Sequence, residues 1–341
     1  MNKTKIIATI GPSCSDKVTL QKMVNNGVGT FRVNMSHGNA DSKKELFKLI
    51  KTIKHPQGGH PAILADLCGP KIRIISVPKK SKLHKGDSVV ISNKEGLGDI
   101  FVTSSISLSN VIVGSKILIN DGKIHLEVDK VINENSFRCK TLIGGDLQKG
   151  KGVNFPGLSL GVPSLSNQDK EDLELALSEG SDWIALSFVR KASDIDEVHK
   201  IMDDLSTRRP IMAKIEKWEA LDDLVNITNA FDGLIVARGD LGVEIPSGKV
   251  PAVQKEIIGL ASTNGKPVVV ATQLLESMVD SHTPTRAEVS DISNSVFDGV
   301  DCLMVTGETA MGKYPIEVIK TLNQVILETE ASNIANKSKV P

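Results

Sequence analysis

Residues 231–272 read FDGLIVARGDLGVEIPSGKVPAVQKEIIGLASTNGKPVVVAT, and this stretch decides the fold class. Phe231–Arg238 is a short, mostly apolar run, VPAVQKEIIGLASTNG has helical spacing, and Gly265 stops it just before a second apolar run, Lys266–Thr272. Runs that stay apolar without alternating belong to strands covered on both faces, as in a parallel sheet packed by helices. The same unit recurs outward in both directions. Its other strands read Lys5–Gly11 (KIIATIG), Thr30–Met35 (TFRVNM), Ala62–Cys68 (AILADLC), Trp183–Val189 (WIALSFV), Pro210–Glu216 (PIMAKIE) and Cys302–Glu308 (CLMVTGE). DKEDLELALSEG and SDIDEVHKIMDDL supply helices between them, Gly27 and Gly180 act as further stops, and a last helix runs from Pro315 to about Glu330. Eight strand–helix units argue for an α/β fold closed as a (β/α)8 TIM barrel over an open doubly wound sheet, which the count alone does not eliminate.

One interval breaks the pattern. Between Lys71 and Phe155 the chain reads KIRIISV, DSVVISN, DIFVTSS, SKILINDGKIHLEVDKV and NSFRCKTLIGG, with hairpin signals at Asp121-Gly122 and Glu134-Asn135. The expected organisation is a barrel built from 1–70 and 156–334, an inserted all-β, β-barrel-like lid domain over 71–155 after strand 3, and a tail at 335–341. A large insertion in such a loop is expected to cover an active site. The run PKKSKLHK, from Pro78 to Lys85, reads as its solvated face.

Composition fits that division, since 341 residues accommodate a barrel of about 250 residues plus an insertion. Forty-one basic residues balance 41 acidic ones, so no whole-chain field exists to hold nucleic acid or an anionic membrane. Aromatic residues are 3% of the chain, which leaves few rings for stacking bases. Cys14, Cys68, Cys139 and Cys302 are widely spaced with no CxxC pair. Together with an N-terminus that lacks a signal-peptide core and the absence of any apolar run near about 18 residues, this predicts a soluble cytoplasmic protein with no membrane partner.

Barrel sites form at the carboxyl ends of the strands. Those ends deliver Arg32, Asn34 and Ser36, then Asp66, Lys214 with Glu216, Arg238 with Asp240, Thr272 with Gln273, and Thr306 with Glu308. Lys214 and Glu216 are two apart and project from one face of their strand. Alone they read as an ordinary ion pair. Asp240, one strand later, adds a second carboxylate, and the two give hard oxygen ligands for Mg²⁺ or Mn²⁺ whose shell water and substrate oxygens would complete. Gly239 and the amides of RGDLGVEIP could receive an anion, although a Gly-containing turn explains that stretch equally well. Arg32 in a mouth implies an anion, His37 reads as a loop cap, and Thr285-Arg286-Ala287-Glu288 reads as a capped helix start.

At these residues the sequence resembles pyruvate kinase. TKIIATIGPS, FRVNMSHG, GPKIR, KGVNFPG, AKIE, ARGDLGVEIP, ATQLLESM, PTRAEVSD and TGETA follow the family's motifs in the family's order, from Lys3 through about Glu330. The resemblance implies transfer of the phosphoryl group of phosphoenolpyruvate to ADP, giving pyruvate and ATP in glycolysis. It implies that Glu216 and Asp240 hold Mg²⁺ or Mn²⁺, that Arg32 and Lys214 bind the phosphoryl group, and that Gly239, Asp240 and Thr272 hold the substrate carboxylate. Thr272 and Thr306 would belong to the relay that protonates the enolate, and Asn34, Ser36, His37, Arg73 and Lys151 would face the nucleotide phosphates.

Several departures carry expectations of their own. Many family members have Asp-Thr-Lys-Gly-Pro-Glu where this chain has Asp66-Leu67-Cys68-Gly69-Pro70-Lys71. The monovalent-cation site implied by Asn34, Ser36, Asp66 and the Leu67 carbonyl would then have the Lys71 ammonium as a substitute, and activity without K⁺ is expected. Lys217 and Ala220 replace the commoner Asn and Gly. The family's C-terminal regulatory domain is expected to be absent, with no sugar-phosphate activation and a possible homodimer in place of the family tetramer. Two other classes stay open on the residues: a metal-dependent lyase or aldolase acting on pyruvate-like enolates, and a non-catalytic regulatory paralogue.

Overall fold

A computed structural model describes residues 2–78, 81–103 and 106–332. The expected tail at 335–341 and the Lys79-Lys80 centre of the basic run lie outside the described residues. In chain order the elements begin β1 (Lys5–Thr9), α1 (Lys17–Asn25), β2 (Val28–Asn34), α2 (Ala40–Lys51) and β3 (Ala62–Asp66). Then come the short strands β4 (Ile74–Ser76), β5 (Lys82–Leu83), β6 (Ser88–Ser92), β7 (Ile100–Val102), β8 (Lys116–Ile119), β9 (Ile124–Asn133), β10 (Ser136–Ile143), β11 (Gly145–Asp146) and β12 (Val153–Asn154). The strand–helix alternation resumes with α3 (Asn167–Ser178), β13 (Trp183–Leu186), α4 (Asp196–Asp204), β14 (Ile211–Ile215), α5 (Trp218–Asp222) and α6 (Leu224–Ala230). It finishes with β15 (Gly233–Ala237), α7 (Arg238–Glu244), α8 (Val250–Thr263), β16 (Val268–Ala271), α9 (Arg286–Phe297), β17 (Cys302–Val305), α10 (Gly307–Ala310) and α11 (Pro315–Ala331).

The eight strands expected from the apolar runs close into one parallel barrel, ordered β1-β17-β16-β15-β14-β13-β3-β2. Their pleat divides the core. Ile7, Leu64, Met212, Ile235, Val269 and Met304 fill the barrel interior, while neighbours one residue away, such as Ile6, Ala213, Val236 and Val270, pack outward against the helices. A strand buried on both faces therefore reads as continuously apolar, which is why these runs show no alternation. Thr285 and Glu288 form the expected capping box on α9, and Gly27, Gly180 and Gly265 stand in the left-handed region just past their helices.

The inserted segment folds around a second apolar cluster that includes Ile91, Leu126, Phe137 and Phe155, with the two phenylalanine rings edge-on at 6.1 Å. Asn120-Asp121-Gly122 turns the chain from β8 into the antiparallel β9. Among the described residues its strands form a seven-stranded sheet, β12-β8-β9-β10-β6-β7-β4, and a separate β11-β5 ribbon. The two ends of that sheet meet: an antiparallel bridge joins Arg73, just before β4, to Gly152, just before β12, with the Ile74 amide donating to the Lys151 carbonyl and the Val153 amide to the Ile72 carbonyl, each at 2.9 Å. The insertion leaves and rejoins the barrel at its mouth, since β4 follows β3 by a few residues and β12 leads back toward α3.

Candidate active site

Met212 faces the barrel interior, so Lys214 and Glu216 continue the same inward row at the exit of β14. Lys214 Nζ lies 3.0 Å from Glu216 Oε1 and 3.3 Å from Asp66 Oδ1, and it donates to Ser187 Oγ at 2.8 Å. Asp66 Oδ2 accepts from Arg32 Nε at 2.5 Å, and Arg32 also donates to Thr9 Oγ1 at 3.1 Å. Two cations and two carboxylates thus interlock at the mouth, with Asp66 and Glu216 each 1% exposed and Lys214 9%. Burial at this depth is tolerated only because each charge has opposite partners.

Electrostatics divide the two carboxylates. Burial alone would raise Asp66, but the charges of Lys214 and Arg32 override it and hold its carboxyl below the usual carboxylate range. Burial raises Glu216, and the nearby Asp240 and Asp66 charges add to that push against the pull of Lys214. Burial works against the Lys214 ammonium, yet Asp66 and Glu216 outweigh it and raise its pKa. Lys214 is accordingly a fixed positive charge.

Asp240 stands in the first turn of α7, directly after β15, and is partly exposed. Its Oδ1 lies 2.9 Å from Lys71 Nζ, in the segment that leads into the insertion. Glu216 Oε2 accepts from the Phe188 amide at 2.9 Å, and Phe188 holds a left-handed φ of 57° to make that bond. Gly69 packs beneath, where a Cβ would come within 2.8 Å of the Phe188 ring, at a φ of +68°. Glu216 and Asp240 are chemically suited to a hard divalent cation: they are oxygen donors whose mutual repulsion an added positive charge would relieve. Among the described residues no group of three or more His, Cys, Asp or Glu side chains could cage a metal, so water and substrate oxygens would have to complete its shell.

Next to this cluster, Thr272 and Gln273 hold left-handed φ values of 70° and 55° at the exit of β16, a costly conformation for a β-branched residue. Arg238 holds them there. Its guanidinium donates to the carbonyls of Thr272 at 2.7 Å and Gln273 at 3.2 Å and pairs with Asp291 at 2.6 Å. The mouth cation expected from the sequence is therefore a clamp, because its long side chain turns back to the β16 exit. Thr272 Oγ1 accepts from the Gly239 amide at 2.8 Å and donates to the Ala271 carbonyl at 2.6 Å. Thr306 donates its amide to Glu308 Oε2 at 2.7 Å, and among the described residues no hydrogen bond joins it to Thr272.

Asn34, Ser36 and His37 gather on the other side. Asn34 Oδ1 accepts from the Ser36 amide at 3.1 Å, and its amide nitrogen lies 3.1 Å from His37 Nδ1. Beside them opens a cavity of about 630 Å³ lined by Ile10, Gly11, Pro12, Leu46, Ala310 and Met311, with Arg32, Asn34, His37 and Thr306 at its polar edge. Gly11 is required there, since a Cβ would meet the Ala310 carbonyl at 2.5 Å. Arg73 donates to the Gly150 carbonyl at 2.9 Å and bridges Gly152, while the Lys151 carbonyl accepts from Ile74. These two residues thus share the root of the insertion; among the described residues no hydrogen bond joins them to Asn34, Ser36 or His37.

The residues expected to form or replace a monovalent-cation site are distributed among partners. Asp66 serves Arg32 and Lys214, the Leu67 carbonyl accepts from Ser187 Oγ at 2.7 Å, Asn34 serves Ser36 and His37, and Lys71 reaches Asp240. Ser187 and Phe188 escaped the sequence reading. Their only available signal was position at the end of the fourth strand, where WIALSFV passes as apolar.

Residues 1–319 match the family model described as pyruvate kinase, barrel domain. The chain is 40% identical to pyruvate kinase 2 of Synechocystis sp., over 99% of this chain and 60% of that protein. It is 41% identical to the pyruvate kinase of Mycobacterium tuberculosis, over 97% of this chain and 71% of that protein. To the pyruvate kinase of Sporosarcina psychrophila it is 42% identical, over 97% of this chain and 58% of that protein. The chain thus spans about 60% of the length of two of these relatives and rather more of the third.

Proposed function

The chain belongs to the pyruvate kinase family, and from that premise we propose that it transfers the phosphoryl group of phosphoenolpyruvate to ADP, yielding pyruvate and ATP. The observation that carries this reading is the buried Arg32–Asp66–Lys214–Glu216 network with Asp240 at its rim. In this reading the bond from phosphorus to the enol oxygen breaks, a bond to a terminal oxygen of ADP forms, and the enolate takes a proton at carbon. Phosphoryl transfer needs in-line positioning and charge neutralisation more than covalent help. Arg32 and Lys214 supply fixed positive charge to the moving group, and the opposing carboxylates keep Lys214 protonated throughout the working pH range.

Glu216 and Asp240 would hold Mg²⁺ or Mn²⁺, whose charge, when bound, screens the phosphoryl and carboxylate oxygens. Thr272 and the Gly239 and Asp240 backbone would take the substrate carboxylate. The Thr272 hydroxyl, with Thr306, would hold the proton delivered to the enolate. Asn34, Ser36, His37, Arg73 and Lys151 would receive the nucleotide phosphates, and the apolar cavity beside Asn34 has room for a base. The Lys71 ammonium at the mouth supports activity without K⁺, since a positive charge is already resident there. Four free thiols support a reducing, cytoplasmic setting, and among the described residues no helix is long and apolar enough to cross a membrane.

The nucleotide-sized cavity weighs against a lyase or aldolase, which would need no such space. The test is formation of pyruvate from phosphoenolpyruvate with Mg²⁺, with and without ADP. Turnover that requires ADP supports the phosphotransferase, and turnover indifferent to it supports the lyase.

A further inference from the structure

Helix α7 carries two carboxylates four residues apart, Asp240 and Glu244, a spacing that puts both on one face. Each grips a different crossing between barrel and insertion. Asp240 pairs with Lys71 on the outgoing segment, just before β4. Glu244 Oε1 accepts from Asn154 Nδ2 at 2.8 Å, on β12 of the returning segment. The same oxygen lies 2.7 Å from Lys217 Nζ, and Lys217 follows Glu216 directly in the chain. The Glu244 side chain is fully buried, and among the described residues its Oε2 has no hydrogen-bond partner. A cavity of about 50 Å³, lined in part by Lys71, Asn154, Phe188 and Lys217, lies between these grips. Its walls are largely apolar, with Ile72, Val153 and Phe155 among them, and the polar grips on α7 add to the Arg73–Gly152 backbone bridge that already joins the two crossings.

We propose that Glu244 is a positioning residue: through Lys217 and Asn154 it sets the spacing of the Glu216 and Asp240 carboxylates and ties that spacing to the pose of the inserted sheet. A buried carboxylate with a single cation is an expensive arrangement for stability alone, and here it joins the three segments whose relative placement a metal held by Glu216 and Asp240 would require. The Lys217 that completes it stands where the family more often has Asn. The inference rests on the metal-dependent reading above, and the test separates the two.

Mn²⁺ is titrated into the full chain, wild type, Glu244→Gln and Lys217→Gln, with the free ion followed by electron paramagnetic resonance and amide exchange followed by mass spectrometry. Both variants are expected to bind Mn²⁺ about tenfold more weakly per folded molecule, the scale on which partners that orient metal ligands act. Exchange should quicken at 152–155 and through α7, and the KM for phosphoenolpyruvate should rise more than kcat falls. A purely structural role would lower the urea midpoint and leave the Mn²⁺ affinity of folded protein unmoved. Asn154→Ala, which spares the ion pair, is expected to shift affinity in the same direction and serves where a charge variant fails to fold. Variants that bind Mn²⁺ as tightly as a wild type that binds it overturn the role of Glu244, whereas a wild type that takes up no Mn²⁺ counts against the phosphotransferase reading itself.

Discussion

Lys71 Nζ sits 2.9 Å from Asp240 Oδ1, joining the first segment of the insertion to the helix at the barrel mouth across 169 residues of sequence. A positive charge supplied by the chain itself lies where a proposed metal ligand meets the covering sheet. Turnover of the wild type should therefore change by less than about twofold when KCl is added to K⁺-free buffer. Lys71→Glu should lose at least about tenfold of its K⁺-free activity, equivalent to a rise of about 1.4 kcal/mol in the activation barrier, and recover part of it with KCl. Strong activation of the wild type by K⁺ would contradict this role for Lys71.

Arg238 is expected to matter through the backbone it clamps. Arg238→Met removes charge-assisted donors from the Thr272 and Gln273 carbonyls, and should cost about 1.5–3 kcal/mol in urea unfolding together with a fall in kcat. Gln273→Gly, which relaxes one left-handed residue, should leave stability nearly level. An Arg238→Met protein as stable and active as the wild type would show that the left-handed turn holds itself.

The cavity beside Asn34 predicts a selective effect on the nucleotide. Ser42 lines its edge and is exposed, so Ser42→Trp should obstruct it without entering the core. The KM for ADP should rise about tenfold, worth about 1.4 kcal/mol, while the KM for phosphoenolpyruvate stays level. Equal changes in both constants would place the nucleotide elsewhere.

The depressed pKa of Asp66 links the site to acid stability. Because Lys214 and Arg32 hold its folded value below the unfolded one, its contribution is present above about pH 3.9 and is lost as pH falls through the folded value. Wild type should exceed Asp66→Asn in urea midpoint at pH 6, and the gap should shrink by pH 3. A gap that stays constant would mean that the Asp66 charge adds no stability.

What could be read from the sequence followed from short-range rules. The eight strand runs were visible because two-sided burial writes an uninterrupted apolar stretch, and Lys214 with Glu216 were placed on one face by the period of a strand. Asp121-Gly122 announced its hairpin by turn chemistry. Partners set by three-dimensional closure were not visible: nothing near Lys71 indicates Asp240, and nothing near Asn154 indicates Glu244. Ser187 was hidden because a lone serine ending an apolar run carries no distinctive pattern. The clamp role of Arg238 was not legible either, because its position on the strand is informative and the direction of a long, flexible side chain is not. The Arg73–Gly152 bridge between the two ends of the inserted sheet also lay beyond pattern, since strand lengths and turns do not state which edges meet.

Phosphoryl transfer through the charge network is tested most directly by pyruvate formation from phosphoenolpyruvate and ADP with Mg²⁺, comparing wild type with Lys214→Met. ADP-dependent pyruvate and ATP in equal amounts from the wild type, and a loss of about 10²–10³ in kcat in folded Lys214→Met, is the predicted result. Wild-type protein that makes no pyruvate, or a Lys214→Met variant that makes it at the wild-type rate, would contradict the assignment.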